Sequence, residues 1–239
     1  MSVLVIGASS SIALALINEH IEQDSSTHVV AITRDAAKLT PLFPHSNNQV
    51  QIIGSDYSAT CVKRICERLS GRPFTHVYIC NGVLHTGDIM PEKRMSEFEL
   101  NTFLKIMESN AAIPMTWLSQ MSPLIDSESI ITIFSARVGS LEDNKLGGWF
   151  SYRASKAALN MLVKSAAIEL SRRHKGLRVV VFHPGTTDTK LSKPFQKNVP
   201  ADKLFTPKFV ASQLLSILST LAAGSGVQFL DWQGKSVQW

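Results

Sequence analysis

Tyr152 and Lys156 are the two residues whose types and spacing point most directly to chemistry. They stand four residues apart at the start of an Ala-rich segment that is predicted to be helical. On a helix this spacing places both side chains on one face, one turn apart. An ammonium beside a phenol stabilises the phenolate and lowers the pKa of the phenol, which suits a general acid/base for a carbonyl or an alcohol. A motif this short also arises by chance, so its place in the chain matters.

The first turn of the chain is a candidate phosphate-binding loop. An apolar run at residues 3–6 leads into a turn of small residues that opens a predicted helix, and the turn contains Gly7, Ser9, Ser10, Ser11 and Ile12. Backbone N–H groups and the positive end of the helix dipole can hold a pyrophosphate at such a place. The alternative is a serine-capped helix that follows a strand and binds nothing.

The ends of the later strands carry further candidate binding residues. Thr33 and Arg34 end the second strand, where an arginine can pair with a ribose 2′-phosphate. The other positions follow the third, fourth and sixth strands, and they are Asp56, Cys80, Asn81, Gly82, Pro184, Gly185, Thr187 and Thr189. Each position also has an ordinary explanation as a solvated charge, a helix-start acceptor or a turn former.

The elements that must position these residues alternate between strand and helix. Strand-like runs lie at residues 3–6, 28–33, 50–53, 76–80, 129–134, 177–183 and 227–230, and helical stretches lie at 11–23, 59–69, 96–121, 152–174 and 207–222. Several runs are apolar throughout, as in parallel strands that are buried on both faces. We therefore predict an α/β fold, with a single Rossmann-like doubly wound parallel β-sheet flanked by helices on both faces. Residues 1–239 form one domain in this prediction, and residues 185–206 form a substrate loop.

Composition and charge narrow the class of protein. The chain has 239 residues, of which 44% are hydrophobic and 18% are charged, as in ordinary globular proteins. No apolar run reaches the length of about 20 residues that spans a bilayer, and the net charge of +5 comes from scattered residues. We therefore predict no membrane and no nucleic-acid partner. Cys61, Cys66 and Cys80 form no metal-ligand pattern, so we predict no metal, reduced thiols and a cytoplasmic location.

Taken together, the motifs resemble those of the short-chain dehydrogenase/reductase family. The Gly7 turn, Asp56, Asn81-Gly82, Asn110, the Tyr152/Lys156 pair and Pro184-Gly185 follow the order and spacing of that family along the whole chain. Residues 135–140 and 147–156 are most similar to the branch that contains C-factor-like signalling proteins and sniffer-type carbonyl reductases.

The resemblance implies a role for each matched residue. Tyr152 would protonate a carbonyl oxygen as hydride arrives from NADP(H), and Lys156 would tune Tyr152 and bind the nicotinamide ribose. Asn110 would hold a water in the proton relay. The Gly7 to Ile12 turn would bind the pyrophosphate, Arg34 the 2′-phosphate, Asp56 the adenine, and residues 184–189 the nicotinamide.

Three departures from the family pattern affect these assignments. Ser11 and Ala13 replace glycines in the first turn. The family's usual Asn-Asn-Ala-Gly after the fourth strand is here Ile79-Cys80-Asn81-Gly82. The family's catalytic serine falls at Ala136, and a serine stands one residue earlier at Ser135. Adjacent residues on a strand point to opposite faces, so Ser135 can act as the carbonyl donor only if the strand end bulges. We assign that role to Ser135 on this condition.

The functional prediction is an NADP-dependent reductase of a small or medium carbonyl compound, which forms a homodimer or homotetramer. Trp149, Phe150, Leu191, Phe195 and Phe205 either line an apolar substrate pocket or pack as core and lid residues. The alternative function is a non-catalytic dinucleotide-binding protein with a signalling or scaffold role. Ala136 favours this alternative, whereas Asn110, Tyr152 and Lys156 favour the enzyme.

Overall fold

The computed structural model describes residues 1–44 and 49–239. Its strands are β1 (Ser2–Ile6), β2 (His28–Thr33), β3 (Val50–Gly54), β4 (His76–Ile79), β5 (Ile130–Phe134), β6 (Arg178–His183), β7 (Thr186–Thr187), β8 (Leu204–Phe205) and β9 (Gly226–Asp231). Its helices are α1 (Ser11–Gln23), α2 (Ala36–Leu39), α3 (Ala59–Leu69), α4 (Leu100–Met107), α5 (Ile113–Ser119), α6 (Phe150–Arg173) and α7 (Pro207–Ser219).

In the described part of the chain, seven parallel strands form one sheet in the order β3-β2-β1-β4-β5-β6-β9. The chain moves outward from β1 to β3 and then returns to place β4 on the other side of β1. This reversal creates a crevice at the carboxyl ends of β1 and β4, where sheets of this type bind ligands. The predicted doubly wound α/β fold is confirmed.

Alternating side chains along the strands supply two separate cores. Leu4 and Ile6 of β1 belong to the core under α3, α5 and α6, which also contains Trp117 and Val163. Val3 and Val5 face the opposite core with residues of α1 and α7. Because successive strand residues point to opposite faces, an apolar run without alternation is buried on both sides. The sheet thus fixes α6 on one face and α1 on the other.

The predicted helix at residues 96–121 is wrong as a continuous element. The structure has α4, a π-helical turn at Glu108–Ala112, and then α5. Pro114 has no N–H to give to the Asn110 carbonyl four residues earlier, so regular α-helical bonding cannot continue through this point. The proline that interrupts the helix therefore also shapes the backbone at Asn110.

Residues 185–206 are more ordered than the predicted loop. β7 and β8 pair as a short parallel ladder at the base of the segment, Thr186 with Leu204 and Thr187 with Phe205. Gly185 has φ +69°, and a Cβ there would lie 2.7 Å from the Phe205 ring. Strands of two residues carry no detectable periodicity, which explains why the sequence did not predict them.

Candidate active site

Tyr152 and Lys156 lie on adjacent turns at the N-terminal end of α6, and both are buried. The Lys156 Nζ donates a hydrogen bond to the Phe134 carbonyl, at 3.0 Å, and lies 5.8 Å from the centroid of the Tyr152 ring. Phe134 is the last residue of β5, so this bond ties α6 to the carboxyl edge of the sheet. The structure therefore brings the pair to the edge where the crevice opens.

Burial governs the protonation of both residues. Removal of the phenol from water raises the pKa of Tyr152 well above its ordinary value, and removal of the ammonium from water lowers the pKa of Lys156 to about 8. The sequence predicts a lowered pKa for the phenol, but the effect of burial is larger in this structure. Tyr152 is thus a neutral phenol at neutral pH, the form that can donate a proton.

Asn110 is fully buried in the π-helical turn, and its side chain is held by several hydrogen bonds. Its Oδ1 accepts from the Val83 N–H at 2.7 Å, and its Nδ2 donates to the Val83 carbonyl at 2.8 Å and to the Ser155 Oγ at 3.0 Å. Ser155 in turn donates to the Tyr152 carbonyl at 2.8 Å. Because both amide hydrogens are used, the side chain cannot also donate to a water.

Two glycines, Gly82 and Gly139, lie against Lys156. A Cβ at Gly82 would lie 3.4 Å from the Lys156 Nζ and 3.9 Å from the Asn110 Oδ1. A Cβ at Gly139 would lie 2.8 Å from the backbone of Lys156, too close for any side chain. Gly139 therefore explains how the turn after β5 approaches α6 so closely, whereas a Cβ at Gly82 would make ordinary contacts.

Ser135 has a different partner from the one its predicted role requires. Its Oγ donates to the Asn160 Oδ1 at 2.6 Å, and the Asn160 Nδ2 donates to the Gly139 carbonyl at 3.4 Å. Asn160 is eight residues beyond Tyr152, about 12 Å further along the helix. This arrangement does not bring the Ser135 hydroxyl to Tyr152, so its role as carbonyl donor is not supported by the geometry. Ala136 follows it, half-buried, at the same edge of the sheet.

The first turn combines a strand end, a glycine and a helix start. Gly7 has φ +79°, and a Cβ there would lie 3.0 Å from the Asn81 nitrogen and from the Cys80 carbonyl carbon. Ser10 caps α1, because its Oγ accepts from the Ala13 N–H at 3.2 Å. The N–H groups of Ser11 and Ile12 belong to the first helical turn, which has no intrahelical acceptor. The serine cap and a phosphate site are therefore compatible, and phosphate binding by this turn, including half-exposed Ile12 and exposed Ser9, stays a prediction.

Arg34 is an exposed cation at the tip of β2. Its Cζ lies 5.9 Å from the centroid of the Tyr57 ring, and Tyr57 has a positive φ of 64°. The neighbouring Asp35 caps α2 and pairs with Lys38 at 2.7 Å. Among the described residues, no carboxylate pairs with Arg34, so its guanidinium remains available to an anion.

The remaining predicted cofactor residues lie around the same crevice, and their binding roles stay predictions. The Asp56 Oδ1 accepts from the Ser58 N–H at 2.9 Å and from the Ser58 Oγ at 2.8 Å, which lowers the pKa of this exposed carboxyl. Burial raises the pKa of the Cys80 thiol. The Thr187 Oγ1 donates to the Pro184 carbonyl at 3.4 Å, and the Thr189 N–H donates to the Ser192 Oγ at 3.3 Å.

Glu92 and His85 were not among the predicted site residues, whereas Trp149 and Phe195 were predicted as pocket or packing residues. Glu92, between β4 and α4, is buried, and its carboxylate accepts from the N–H and the O–H of Ser151. His85 and Phe195 form an aromatic contact at 5.7 Å, and Phe195 meets Trp149 at 5.0 Å. No local motif marks Glu92. Ser155 and Asn160, in contrast, share the helical face of Tyr152 and Lys156, and their spacing was a usable signal.

Comparison with known proteins identifies relatives along the whole chain. A 1-hydroxy-2-glutathionyl-2-methyl-3-butene dehydrogenase from Rhodococcus sp. (strain AD45) is 27% identical over 239 residues, covering 100% of this chain and 99% of the relative. C-signal from Myxococcus xanthus is 34% identical over 132 residues, which are 54% of this chain and 74% of that protein. A benzil reductase ((S)-benzoin forming) from Bacillus cereus is 24% identical and covers 91% of this chain and 94% of its own.

Solved structures agree with the fold. A short-chain dehydrogenase/reductase from Burkholderia multivorans with bound NADP superposes with a TM-score of 0.83 at 25% identity, covering 100% of this chain and 99% of that one. Carbonyl reductase Sniffer of D. melanogaster, at 18% identity with the same coverage, has a TM-score of 0.84 and supports the fold alone. In the described part of the chain, no helix is long and apolar enough to cross a membrane.

The family assignment follows from these comparisons and from the site. The profile of the short chain dehydrogenase family matches residues 1–200, which is most of the chain. The predicted family is confirmed, and C-signal, which the predicted branch contains, is similar over 54% of this chain. The chain belongs to the short-chain dehydrogenase/reductase family of oxidoreductases.

Proposed function

We propose that this enzyme is an NADP(H)-dependent reductase of carbonyl compounds in which Tyr152 is the general acid. The observation that carries the proposal is the meeting of Lys156 and Asn110 beside Gly82, at the carboxyl edge of the sheet, with the Tyr152 ring centroid 5.8 Å from the Lys156 Nζ. Tyr152 and Lys156 come from α6, Asn110 comes from the π-helical turn, and Gly82 follows β4, so segments far apart in the sequence meet here. A buried phenol beside a buried ammonium is a costly arrangement for a protein that has no use for it.

The residues of the crevice fit a dinucleotide. The first turn of α1 offers unpaired N–H groups and the positive end of a helix dipole, which suit a pyrophosphate. Arg34 offers a guanidinium that no carboxylate of the described residues pairs with, where a 2′-phosphate is expected, and the charge of Asp35 is offset by Lys38. The Burkholderia relative with bound NADP supports the choice of cofactor. When bound, the nicotinamide supplies the hydride.

The chain's own residues supply the proton and hold the charges. Tyr152 is neutral at physiological pH and donates its proton to the carbonyl oxygen. Lys156 carries a positive charge below a pH of about 8 and stabilises the phenolate that remains. Both amide hydrogens of Asn110 are engaged, so we assign the relay water to its main-chain carbonyl, to which Pro114 has no N–H to donate.

Aromatic side chains next to Tyr152 support an aryl-substituted carbonyl as substrate. Trp149 meets the Tyr152 ring edge-on at 6.2 Å, and Phe195 of the 185–206 segment lies against Trp149. Both rings are half-exposed, so they offer apolar surface that a substrate can cover. We propose residues 185–206 as the substrate loop of one domain at 1–239. The benzil reductase relative supports an aromatic diketone as the first compound to assay.

A second candidate is a non-catalytic dinucleotide-binding protein with a signalling or scaffold role. Ala136 occupies the position of the family's carbonyl donor, and Ser135 is engaged by Asn160. The likeness to C-signal points in the same direction. This candidate predicts tight NADPH binding without turnover of any carbonyl compound.

Assembly and location complete the proposal. Leu100 and Leu104 of α4, together with Met161 and Ile168 of α6, are exposed apolar residues on two helices that pack together. We propose that a second copy covers them in a homodimer or homotetramer.

The three cysteines are free thiols, which supports a cytoplasmic location.

The deciding assay follows NADPH oxidation with a panel of aldehydes, ketones, benzil and quinones, alongside NADPH binding by calorimetry. The enzyme proposal expects turnover with at least one aryl carbonyl compound. Binding of NADPH without any turnover would favour the signalling or scaffold candidate, and failure to bind either dinucleotide would reject both.

A further inference from the structure

Glu92 is a buried carboxylate that the proposed reaction does not use. It is only 4% exposed, and it lies in the segment between β4 and α4. Its carboxylate accepts hydrogen bonds from the Ser151 N–H at 3.2 and 3.3 Å and from the Ser151 hydroxyl. Among the described residues, no lysine, arginine or histidine forms an ion pair with it. A buried charge without a cationic partner is costly, so its placement requires an explanation.

The backbone that enters α6 is strained at the point that Glu92 contacts. Gly147, Gly148 and Trp149 have successive φ values of +66°, +64° and +53°. Trp149 is the N-cap of α6 and has no side-chain oxygen to cap the helix. The Trp149 N–H donates instead to the Glu92 carbonyl at 2.5 Å. Glu92 thus supplies the cap from outside the helix, through both its main chain and its side chain.

Glu92 also shares a cavity with Tyr152. Ser151, its hydrogen-bond partner, immediately precedes Tyr152, and all three residues line one small cavity with Thr102 and Ile106. The positive end of the α6 dipole stabilises a phenolate at this position. A negative charge in the same cavity opposes that effect and favours the neutral phenol.

Other charged groups surround this turn and must be distinguished from Glu92. Lys156 lies one turn further along α6, and the Arg153 Nε donates to the Gly148 carbonyl at 3.0 Å. Glu97 is an exposed carboxylate that accepts from the Lys93 N–H at 2.7 Å, five residues after Glu92. Glu97 therefore provides a matched control for the loss of one negative charge from the same segment.

We propose that Glu92 is a positioning residue that fixes the first turn of α6 and, through its charge, adds to the burial that already favours the neutral phenol of Tyr152. The proposal rests on the proposed role of Tyr152 as general acid. It assigns Glu92 no contact with the substrate or the cofactor, so its effects must appear in turnover and in the pH profile, with NADPH binding preserved.

The test compares Glu92→Gln, Glu92→Ala, Glu97→Gln and Ser151→Ala with the native enzyme, using NADPH and one accepted aryl ketone. Glutamine keeps the shape and an acceptor but removes the charge. We expect the fall of kcat at high pH to begin about half a pH unit or more lower in Glu92→Gln, because removal of a nearby negative charge lowers the pKa of Tyr152 and of Lys156 alike. Glu92→Ala also loses the cap, and its kcat should fall by about tenfold. Its NADPH Kd should change less than about twofold.

The controls separate the possible outcomes. Glu97→Gln and Ser151→Ala should leave the pH profile in place, because neither removes the buried charge. The proposal would be overturned if Glu92→Gln kept the native pH profile and the native kcat. A parallel loss of NADPH binding and turnover would also overturn it, because that result indicates a purely structural role. If Glu92→Ala does not fold, the comparison of Glu92→Gln with Glu97→Gln still decides. Tyr152→Phe is assayed in parallel, and normal turnover there would reject the proposed function itself.

Discussion

The hydrogen bond between Ser135 and Asn160 leads to a prediction that separates stability from catalysis. In Ser135→Ala the Asn160 Oδ1 loses its donor at 2.6 Å, and Asn160 is buried. A buried acceptor without a partner costs about 1–3 kcal/mol. For a chain of this size, that loss lowers the thermal midpoint by about 2–12 °C. The same substitution should change kcat of the folded enzyme by less than about threefold.

A substitution at the neighbouring residue, Ala136, should affect turnover and leave stability nearly unchanged. Ala136 occupies the place of the family's carbonyl donor, and one such donor contributes about 10²–10³ in rate. Ala136→Ser should therefore raise kcat by at least about tenfold, a conservative fraction of that contribution, with little change in thermal midpoint.

Two measurements on each variant test this reasoning. Thermal unfolding gives the midpoint, and NADPH oxidation with one accepted carbonyl compound gives kcat. A Ser135→Ala enzyme with a native midpoint and a kcat reduced about 100-fold would refute the reasoning and assign the donor to Ser135. An Ala136→Ser enzyme with unchanged turnover would show that position 136 does not face the carbonyl oxygen.

Three further predictions concern cofactor choice and pH. Arg34→Asp should weaken NADPH binding by about one to two decades and NADH binding little, because a charge-assisted phosphate contact contributes about 1.5–3 kcal/mol; calorimetry that shows equal loss for both dinucleotides would contradict it. The value of kcat/KM for reduction should fall as the pH rises through about 8, where Lys156 loses its proton in the free enzyme, and a flat profile to pH 10 would argue against a need for the ammonium. Burial lowers the pKa of His20 to about 3 and that of His76 to about 4, so the unfolded chain binds more protons between those values and about 6.5. Stability should therefore decline as the pH falls from about 6.5 to 4, and His76→Gln should reduce this decline in the thermal midpoint.

Much of the fold was accessible from the sequence because each strand of the main sheet is a short apolar run. β2 was predicted with its observed bounds, and the other six strands of the sheet differ by one residue at an end or at both ends. The capped helices α1 and α3 also had their bounds predicted, since Ser10 and Ser58 accept from N–H groups of the first turn. The interruption at Asn110 was missed, although Pro114 marks it.

The sequence predicts the residues of the site only where they form a local pattern. The spacing of Tyr152 and Lys156 is a property of one helix, and the structure places both on one buried face. The Ser135 hydroxyl, in contrast, can point to either face of the sheet at the end of its strand, and its hydrogen-bond partner Asn160 is 25 residues away. Glu92 reaches Ser151 over 59 residues. Contacts of this kind depend on tertiary packing, which no local pattern records.

The turnover of Tyr152→Phe tests the central claim most directly. A general acid contributes about 10²–10⁴ in rate, and the substitution removes only the hydroxyl from a buried ring. With NADPH and an accepted aryl carbonyl compound, kcat should fall by that factor, while the Kd for NADPH stays within about threefold of the native value. A Tyr152→Phe enzyme with native kcat would contradict the assignment of Tyr152 as the acid.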